Sequence, residues 1–279
     1  MKLEAGQVAV ITGAANGIGQ ALAGALHARG LRVVLADIEE DSVRRAAAEL
    51  GGETLAVPTD VADPAQVQRL AEATVERFGR VDLVANNAGV GAGGAMWSIE
   101  PEDWQRVWSV NVGGVVNGIR AFVPHLIASG HGHVVNTASI AGVSFGAFNA
   151  PYTASKHAVI SLSESLRGEL DILAPEIGVT VMCPGPVDTR MLRGVTDGAS
   201  AEARTEWLAS FTPEQWERFA PRMEIIKRMQ EEMMPAAEAA EIIIRAVETN
   251  RLYVTTHPHY AEAAKSRAEL VVAGLAEAD

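Results

Sequence analysis

Short apolar runs alternate with longer segments of helical periodicity along most of the chain. Each run carries apolar residues at consecutive positions, so both faces of such a strand would be buried. Strands of this kind are typical of a parallel sheet that helices cover on both sides. The predicted strands are Gln7–Thr12, Leu31–Ala36, Thr54–Thr59, Val81–Asn86, His133–Ala138, Val179–Cys183 and Leu252–Thr255.

Helical segments fill the intervals between these strands, and right-handed crossovers then give a doubly wound sheet. The fourth helix is longer than average, so we expect a break or bend near Gly113–Gly114. The chain is therefore predicted to be one α/β domain over residues 1–279, with a Rossmann-type, doubly wound parallel sheet of about seven strands. The predicted helices are Gly17–Arg29, Glu40–Leu50, Pro64–Phe78, Pro101 to about Ser129, Ala154–Leu173, Ala236–Thr249 and Tyr260–Gly274.

The alternation stops between Asp188 and about Pro235. This segment follows a strand end, where open α/β sheets bind their ligands. We interpret residues 188–235 as a lid and expect a mainly apolar substrate, although a role in the core or a subunit interface fits the pattern equally well. Arg190 and Arg193 still allow a substrate with a carboxylate. The apolar candidates are Met191, Trp207, Phe211, Trp216, Phe219, Met223, Met229, Met233 and Met234, with Met96, Trp97, Phe145 and Phe148 as further pocket-wall residues.

Composition and charge narrow the class of protein. The 279 residues are 48% hydrophobic and carry a formal charge of −12, which argues against nucleic acid or an anionic membrane as the main partner. The only cysteine, Cys183, allows no intrachain disulfide, and a small buried thiol is its expected role. No signal peptide and no spanning segment is evident, so we expect a cytoplasmic location.

A glycine-rich turn follows the first predicted strand. Gly13, Gly17 and Gly19 have the spacing G-x-x-x-G-x-G, with Asn16 and Ile18 between them. Glycine lets the backbone approach a pyrophosphate closely, and the N-terminus of the following helix attracts the anion. Because the turn lies between a strand and a helix, it predicts a dinucleotide site.

Acidic residues at the ends of the second and third strands bear on the choice of dinucleotide. Asp37 can accept hydrogen bonds from the adenosine ribose and would repel a 2′-phosphate, which favours NAD over NADP. Alternatively, Asp37 merely caps the helix that begins near Glu40. Asp60 and Val61 could meet the adenine edge, although Asp60 or Asp63 could equally be a helix cap.

Tyr152 and Lys156 are four residues apart at a predicted helix start, so they share one face. A phenol with a pKa near ~10 is a poor base at neutral pH, and a nearby ammonium favours the phenolate. Ser139 follows the fifth strand and can donate a hydrogen bond to a substrate oxygen as charge develops there. The three groups indicate proton transfer coupled to hydride transfer.

Together and in this order, these motifs resemble those of the short-chain dehydrogenase/reductase family. The resemblance extends from Gln7 to about Thr189. The matching pieces are Thr12-Gly-x-x-x-Gly-x-Gly19, Asp60-Val61, Asn86-Asn87-Ala88-Gly89, Asn111, Ser139, Tyr152-x-x-x-Lys156 and Pro184-Gly185-Pro186-Val187-Asp188-Thr189.

The resemblance implies a role for each matching residue. Tyr152 would be the general acid/base, Lys156 would lower its pKa and bind the nicotinamide ribose, and Ser139 would polarise the carbonyl. Asn111 would hold a water in a proton relay through Lys156. The resemblance also implies a homotetramer or homodimer built from the helices around residues 102–129 and 151–173. Asn87, Ala88 and Gly89 would line the adenine-ribose side, and Pro184, Gly185, Val187 and Thr189 would contact the nicotinamide.

The expected function is that of an NAD-dependent oxidoreductase that interconverts a hydrophobic secondary alcohol, cyclic or aromatic, and its ketone. The alternatives are a catalytically silent NAD-binding regulator and an isomerising or dehydrating variant on the same scaffold. Tyr152, Lys156 and Ser139 argue against the regulator, because a pure sensor needs none of them.

The histidines do not form a recognisable metal motif. His257-x-His259 could be a metal pair, but no third ligand is evident in the sequence, so a solvated tail is favoured and no metal is expected. His157 adjoins Lys156 but points about 100° away on the helix, so we interpret it as structural.

Overall fold

A computed structural model of the chain describes residues 1–194 and 208–276, with the side chains of residues 193 and 194 excepted. Its seven strands form one parallel sheet, as the apolar runs predict. The strands are β1 Val8–Thr12, β2 Arg32–Asp37, β3 Thr54–Pro58, β4 Leu83–Asn86, β5 Gly132–Thr137, β6 Ile177–Met182 and β7 Tyr253–Val254.

The strand order is β3-β2-β1-β4-β5-β6-β7, and every neighbouring pair is parallel. The chain therefore builds outwards in one direction from β1 and then in the other from β4. Between these two strands the sheet has its topological switch point, which is where doubly wound sheets bind ligands.

The helices differ from the prediction mainly at one boundary. The helix that carries Tyr152 begins at Ala150 rather than Ala154, because Pro151 is accommodated in its first turn. Tyr152 is therefore already helical. The helices are α1 Gly17–Ala28, α2 Glu40–Leu50, α3 Pro64–Phe78, α4 Pro101–Trp108, α5 Gly114–Ser129, α6 Ala150–Leu173, α7 Arg190–Gly194, α8 Pro213–Glu231, α9 Ala236–Glu248 and α10 Ala261–Ala276.

A π-helical turn, Ser109–Gly113, joins α4 to α5. The irregularity therefore ends where the sequence predicts a break, at Gly113–Gly114. Helical structure continues through this turn, because α5 begins at Gly114, directly after it. Such turns recur at functional sites, and Asn111 lies inside this one.

Alternating residues of each strand serve two separate hydrophobic layers. In β1, Ala9 and Ile11 pack against α1 and α9, whereas Val8 and Val10 pack against α3, α5 and α6. This is the two-residue period of a strand buried on both faces. Within the described residues, no helix has both the length and the apolar character needed to cross a membrane.

Candidate active site

The glycine turn depends on the absence of side chains. Gly13 and Gly17 have φ values of +64° and +57°, which disfavour residues with a Cβ. A Cβ on Gly19 would lie 2.2 Å from the carbonyl oxygen of Gly13, and one on Gly13 would lie 2.9 Å from the Cα of Ala88. The turn thus packs against the β4 end and begins α1 beside the switch point.

Asp37 supports this turn from the end of β2. Its carboxylate is buried and accepts hydrogen bonds from the amides of Ala15 (3.0 Å) and Glu39 (3.1 Å). The N-cap residue of α2 is Glu39, so the interpretation of Asp37 as the cap of that helix is wrong. The carboxylate links the glycine turn to the chain that leaves β2.

The acidic residues after β3 have different roles. Asp63 is the N-cap of α3 and accepts hydrogen bonds from the amides of Ala65 and Gln66. Of the two cap candidates in the sequence, Asp60 and Asp63, the N-cap is therefore Asp63. Asp60 accepts a hydrogen bond from the amide of Ala62 (2.9 Å). The neighbouring Val61 is buried in the core, and both residues stay predicted contacts of the adenine.

The turn after β4 is bound tightly to β1. The Asn87 side chain donates to the carbonyl of Thr12 (3.0 Å), and the Thr12 hydroxyl accepts from the Asn87 amide (2.9 Å). Gly89 lies beside Asn111 and Lys156, and its contact with the adenine-ribose side stays a prediction. A Cβ there would lie 3.3 Å from Oδ1 of Asn111 and 3.4 Å from Nζ of Lys156, at the opposite end of the turn.

Ser139, Tyr152 and Lys156 come together beyond the carboxyl end of β5. The Ser139 hydroxyl is within hydrogen-bonding reach of the Tyr152 hydroxyl and accepts a bond from the amide of Ala141 (3.1 Å). The Lys156 ammonium is buried, donates to the carbonyl of Thr137 (2.8 Å), and lies 5.5 Å from the centre of the Tyr152 ring. The spacing of four residues therefore places the two side chains together.

The electrostatics of this group differ from the sequence-based expectation. Burial raises the pKa of Tyr152, and the hydrogen bond with Ser139 only partly offsets that effect. Burial lowers the pKa of Lys156 to about 8. The expectation that the ammonium lowers the pKa of the phenol is thus not met in the protein alone. The Lys156 ammonium lies near the Tyr152 ring and donates its hydrogen bond to the Thr137 carbonyl. Desolvation of the Tyr152 hydroxyl therefore has the largest effect on the pKa of the phenol.

Both polar atoms of the Asn111 side chain form hydrogen bonds. Oδ1 accepts from the amide of Val90 (2.8 Å), and Nδ2 donates to the Val90 carbonyl (3.0 Å) and to the hydroxyl of Ser155 (2.9 Å). The side chain therefore fixes the chain after β4 to the helix of Tyr152. Its role in a proton relay stays a prediction.

The segment Pro184–Thr189 contacts both the chain after Ser139 and the glycine turn. The carbonyl of Pro184 accepts from the amide of Ile140, next to Ser139, and the Thr189 methyl would be 2.9 Å from a Cβ on Gly17. Val187 is buried and bridges to Met234. The segment thus runs from the neighbourhood of Ser139 to the glycine turn.

The His257 side chain is buried, so the interpretation of this residue as part of a solvated tail is wrong. Its ring is bonded to the Glu232 carbonyl (2.9 Å) and the Thr256 hydroxyl (2.6 Å). A Cβ on Gly185 would lie 2.6 Å from its Nδ1, so the ring packs directly under the Pro184–Thr189 segment. No local sequence signal marks this long-range contact. The described residues contain no group of three or more acidic, His or Cys side chains arranged for a metal.

Cys183 follows β6 and is buried, as the sequence indicates. Burial raises the pKa of its thiol to about 12. The thiolate is therefore scarce at neutral pH, and a packing role is favoured.

The predicted lid contributes an aromatic cluster. Phe219, the buried residue of α8, packs its ring against Phe148 (5.6 Å between centres), Phe211 (5.4 Å) and Trp216 (6.0 Å). Phe148 belongs to the segment between Ser139 and Tyr152, so α8 packs against that segment. Trp207 lies outside the described residues.

Other pocket-wall candidates are less enclosed. Met96, Trp97 and Phe145 are 60%, 89% and 72% exposed, so they do not form a wall in the described chain. Arg190 is paired with Glu39 (3.0 Å), and the Arg193 side chain is not described. Sequence reasoning did not single out Arg222, whose guanidinium lies against Gly146.

Known proteins similar to this chain are oxidoreductases of one family. The family model described as short chain dehydrogenase matches residues 7–200. The 1-deoxy-11-beta-hydroxypentalenate dehydrogenase of Streptomyces avermitilis is 44% identical over 203 residues, covering 71% of this chain and 74% of the relative. The putative oxidoreductase SadH of Mycobacterium tuberculosis is 38% identical, covering 75% and 79%.

Solved structures give the same result. A short-chain dehydrogenase/reductase from Burkholderia phymatum in complex with NAD superposes with a TM-score of 0.84 at 37% identity, covering 98% of this chain and 97% of that one. The 3-ketoacyl-(acyl-carrier-protein) reductase of Brucella melitensis, complexed with NADH, has a TM-score of 0.75 at 26% identity, covering 91% and 98%. The chain belongs to the short-chain dehydrogenase/reductase family and is an oxidoreductase.

Proposed function

We propose that this short-chain dehydrogenase/reductase interconverts a hydrophobic secondary alcohol, cyclic or aromatic, and its ketone, with NAD as cofactor and Tyr152 as the acid/base. The observation that carries the proposal is the meeting of Ser139, Tyr152 and Lys156 beside the switch point where the glycine turn begins α1. Relatives named as dehydrogenases of a hydroxypentalenate support oxidation of an alcohol.

The switch point with its glycine turn suits a dinucleotide. The turn Gly13–Gly19 would approach the pyrophosphate without a Cβ in the way, and the amides at the start of α1 would face the anion. Asp37 would accept hydrogen bonds from the adenosine ribose, and its negative charge would oppose a 2′-phosphate. The NAD and NADH complexes of the two solved relatives are in line with this preference.

Hydride transfer to or from the substrate carbon is the chemistry that a bound nicotinamide supplies. In oxidation, Oη of Tyr152 takes the proton of the substrate hydroxyl, and in reduction it returns that proton to the ketone oxygen. The Ser139 hydroxyl donates to the same substrate oxygen and stabilises the charge that develops on it. Lys156, mostly protonated at neutral pH because its pKa is about 8, stabilises the phenolate while Tyr152 is ionised.

The substrate side of the crevice is formed by the segment after Ser139 and by α8. The Phe148–Phe219 pair gives this side an apolar, aromatic character, which suits a cyclic or aromatic skeleton. We infer that α8 is the substrate lid within residues 188–235. Subunit assembly through the α4–α5 and α6 helices is proposed as a homotetramer or homodimer, and exposed Trp108, Ile127 and Ile172 on these helices support it.

The experiment is a steady-state assay of NADH formation with cyclohexanol, 1-indanol and 1-phenylethanol, each with NAD and with NADP. We expect oxidation of at least one alcohol with a kcat/KM at least about tenfold higher for NAD, since one charge contact of this kind contributes about 1.4 kcal/mol or more. A preference for NADP would refute the role of Asp37. Failure to oxidise any of the alcohols or to reduce the matching ketones would contradict the substrate class.

A further inference from the structure

Arg222 on α8 carries a half-buried, positively charged guanidinium. Across residues 1–194 and 208–276 its guanidinium makes no hydrogen bond and no ion pair. Burial lowers the pKa of this guanidinium from its ordinary value, although arginine stays charged in proteins. Several other arginines do have carboxylate partners, namely Arg29–Glu241, Arg44–Glu40, Arg80–Asp82, Arg106–Asp103, Arg167–Asp171 and Arg190–Glu39.

The position of this guanidinium links it to the substrate side. A Cβ on Gly146 would lie 3.4 Å from Nη1 and 3.9 Å from Nη2 of Arg222. Gly146 belongs to the segment between Ser139 and Tyr152 and is two residues from Phe148, whose ring contacts Phe219. Phe219 precedes Arg222 by three positions on α8, so both residues share the face that packs on this segment.

We propose that Arg222 binds a carboxylate of the substrate, so that the enzyme acts on a hydrophobic hydroxy acid and the corresponding keto acid. This proposal rests on the proposed function and names its substrate class more closely. The aromatic rings hold the apolar skeleton, and the guanidinium holds the acid group at the edge of the lid.

Two physical arguments favour a carboxylate over a purely structural role. A partly desolvated charge is costly unless an opposite charge or hydrogen bonds compensate it, and a planar guanidinium matches a carboxylate with two parallel hydrogen bonds. The chain also carries a net charge of −12, which would repel an anionic substrate unless a local cation attracted it. Arg190, the other described candidate in the predicted lid, is already neutralised by Glu39.

The test is a ligand-detected NMR titration of the full chain with NADH bound, using cyclohexanecarboxylate and its neutral match cyclohexanecarboxamide at pH 7. We expect the wild type to bind the carboxylate about tenfold more tightly than the amide, the order of magnitude for a charge-assisted hydrogen bond. Arg222→Gln should abolish that preference and leave the affinity for the amide unchanged. Arg228→Gln, the same substitution at an exposed position of α8, should keep it.

Equal affinity of the wild type for both probes, or binding of neither, overturns the proposal, and so does an unchanged preference in Arg222→Gln. If Arg222→Gln does not fold, Arg222→Lys decides the question. It keeps the charge but loses the planar fork, so the preference should fall severalfold without vanishing, and an unchanged preference again overturns the proposal. The titration involves no hydride transfer. Failure of the alcohol assay would therefore refute the proposed function while leaving the result for Arg222 intact.

Discussion

The two halves of the candidate active site differ in how their polar groups are bonded. In the cofactor half, which comprises the glycine turn Gly13–Gly19, Asp37 and Asn87, side chains bind specific backbone groups, and the glycines admit no Cβ. In the lid half, which comprises α8 and residues 143–149, aromatic rings supply the packing, and the guanidinium of Arg222 has no hydrogen bond or ion pair with the part of the chain that the structure describes.

This difference corresponds to two kinds of ligand. A dinucleotide presents the same pyrophosphate and ribose in every reaction, so a rigid and fully bonded site suits it. Substrates differ among members of one fold family, and loops and lids are where such differences are accommodated. We therefore expect changes in the cofactor half to alter NAD binding strongly, and changes in the lid half to alter substrate affinity moderately.

The largest effect on cofactor affinity is expected from Gly19→Ala in the cofactor half. Its Cβ would lie 2.2 Å from the Gly13 carbonyl oxygen, so the turn must move, and we expect NADH affinity to fall by about a hundredfold, equivalent to roughly 2.7 kcal/mol. Gly146→Ala in the lid half is the control, since its Cβ would make ordinary contact. Fluorescence titration with NADH measures both variants, and equal affinity of Gly19→Ala and the wild type would contradict the rigid-turn account.

Asp37→Ala should lower the preference for NAD over NADP. Removal of the carboxylate loses the proposed ribose contacts and the repulsion of a 2′-phosphate, so the ratio of NAD to NADP kcat/KM should fall by about tenfold. Asp60→Ala is a matched control at the end of the next strand. A ratio unaffected by Asp37→Ala would show that another residue selects the cofactor.

A smaller effect, confined to the substrate, is expected from Phe219→Ala. Loss of its ring contacts with Phe148, Phe211 and Trp216 should raise KM for an apolar alcohol about fivefold, in line with roughly 1 kcal/mol for an aromatic pair. The dissociation constant of NADH should stay within about twofold. If Phe219→Ala raised the dissociation constant of NADH as much as the KM for the alcohol, the distinction between the two halves would be lost.

The smallest effect concerns the pH dependence of stability. Lys156 has a folded pKa of about 8, below the value of about 10.4 in an unfolded chain, so the unfolded state binds more protons between these values. The Lys156 contribution to the free energy of unfolding therefore rises with pH above about 8. The melting temperature of Lys156→Met minus that of the wild type should fall by a few degrees from pH 7 to pH 9.

Lys227→Met, at an exposed position in the lid half, controls for the substitution itself. A melting-temperature difference for Lys156→Met that is constant or that increases with pH would contradict the lowered pKa of Lys156.

The sequence predicts the fold and the place of the glycine turn between β1 and α1 well because their signals are local. The runs of β1 and β2 are buried on both faces, and the Gly13–Gly19 spacing is visible in seven residues. The start of α6 was misplaced because the helix tolerates Pro151 in its first turn. That error is confined to one boundary.

The features that sequence could not supply depend on tertiary packing. The raised pKa of Tyr152 reflects burial by surrounding elements, and Gly89 lies beside Lys156 only in the folded chain. His257 contacts Gly185 across 72 positions, and Arg222 reaches Gly146 across 76 (257 − 185 and 222 − 146). No periodicity or short motif encodes contacts of this range.

The most direct test of the central claim is a comparison of the wild type with Tyr152→Phe in two measurements on the same preparation, NADH affinity by fluorescence and alcohol oxidation by NADH absorbance. The variant keeps the ring but removes the proton-transferring hydroxyl. The proposed mechanism predicts NADH affinity within about twofold of the wild type and a kcat at least about a thousandfold lower. Oxidation at the wild-type rate by Tyr152→Phe would contradict it.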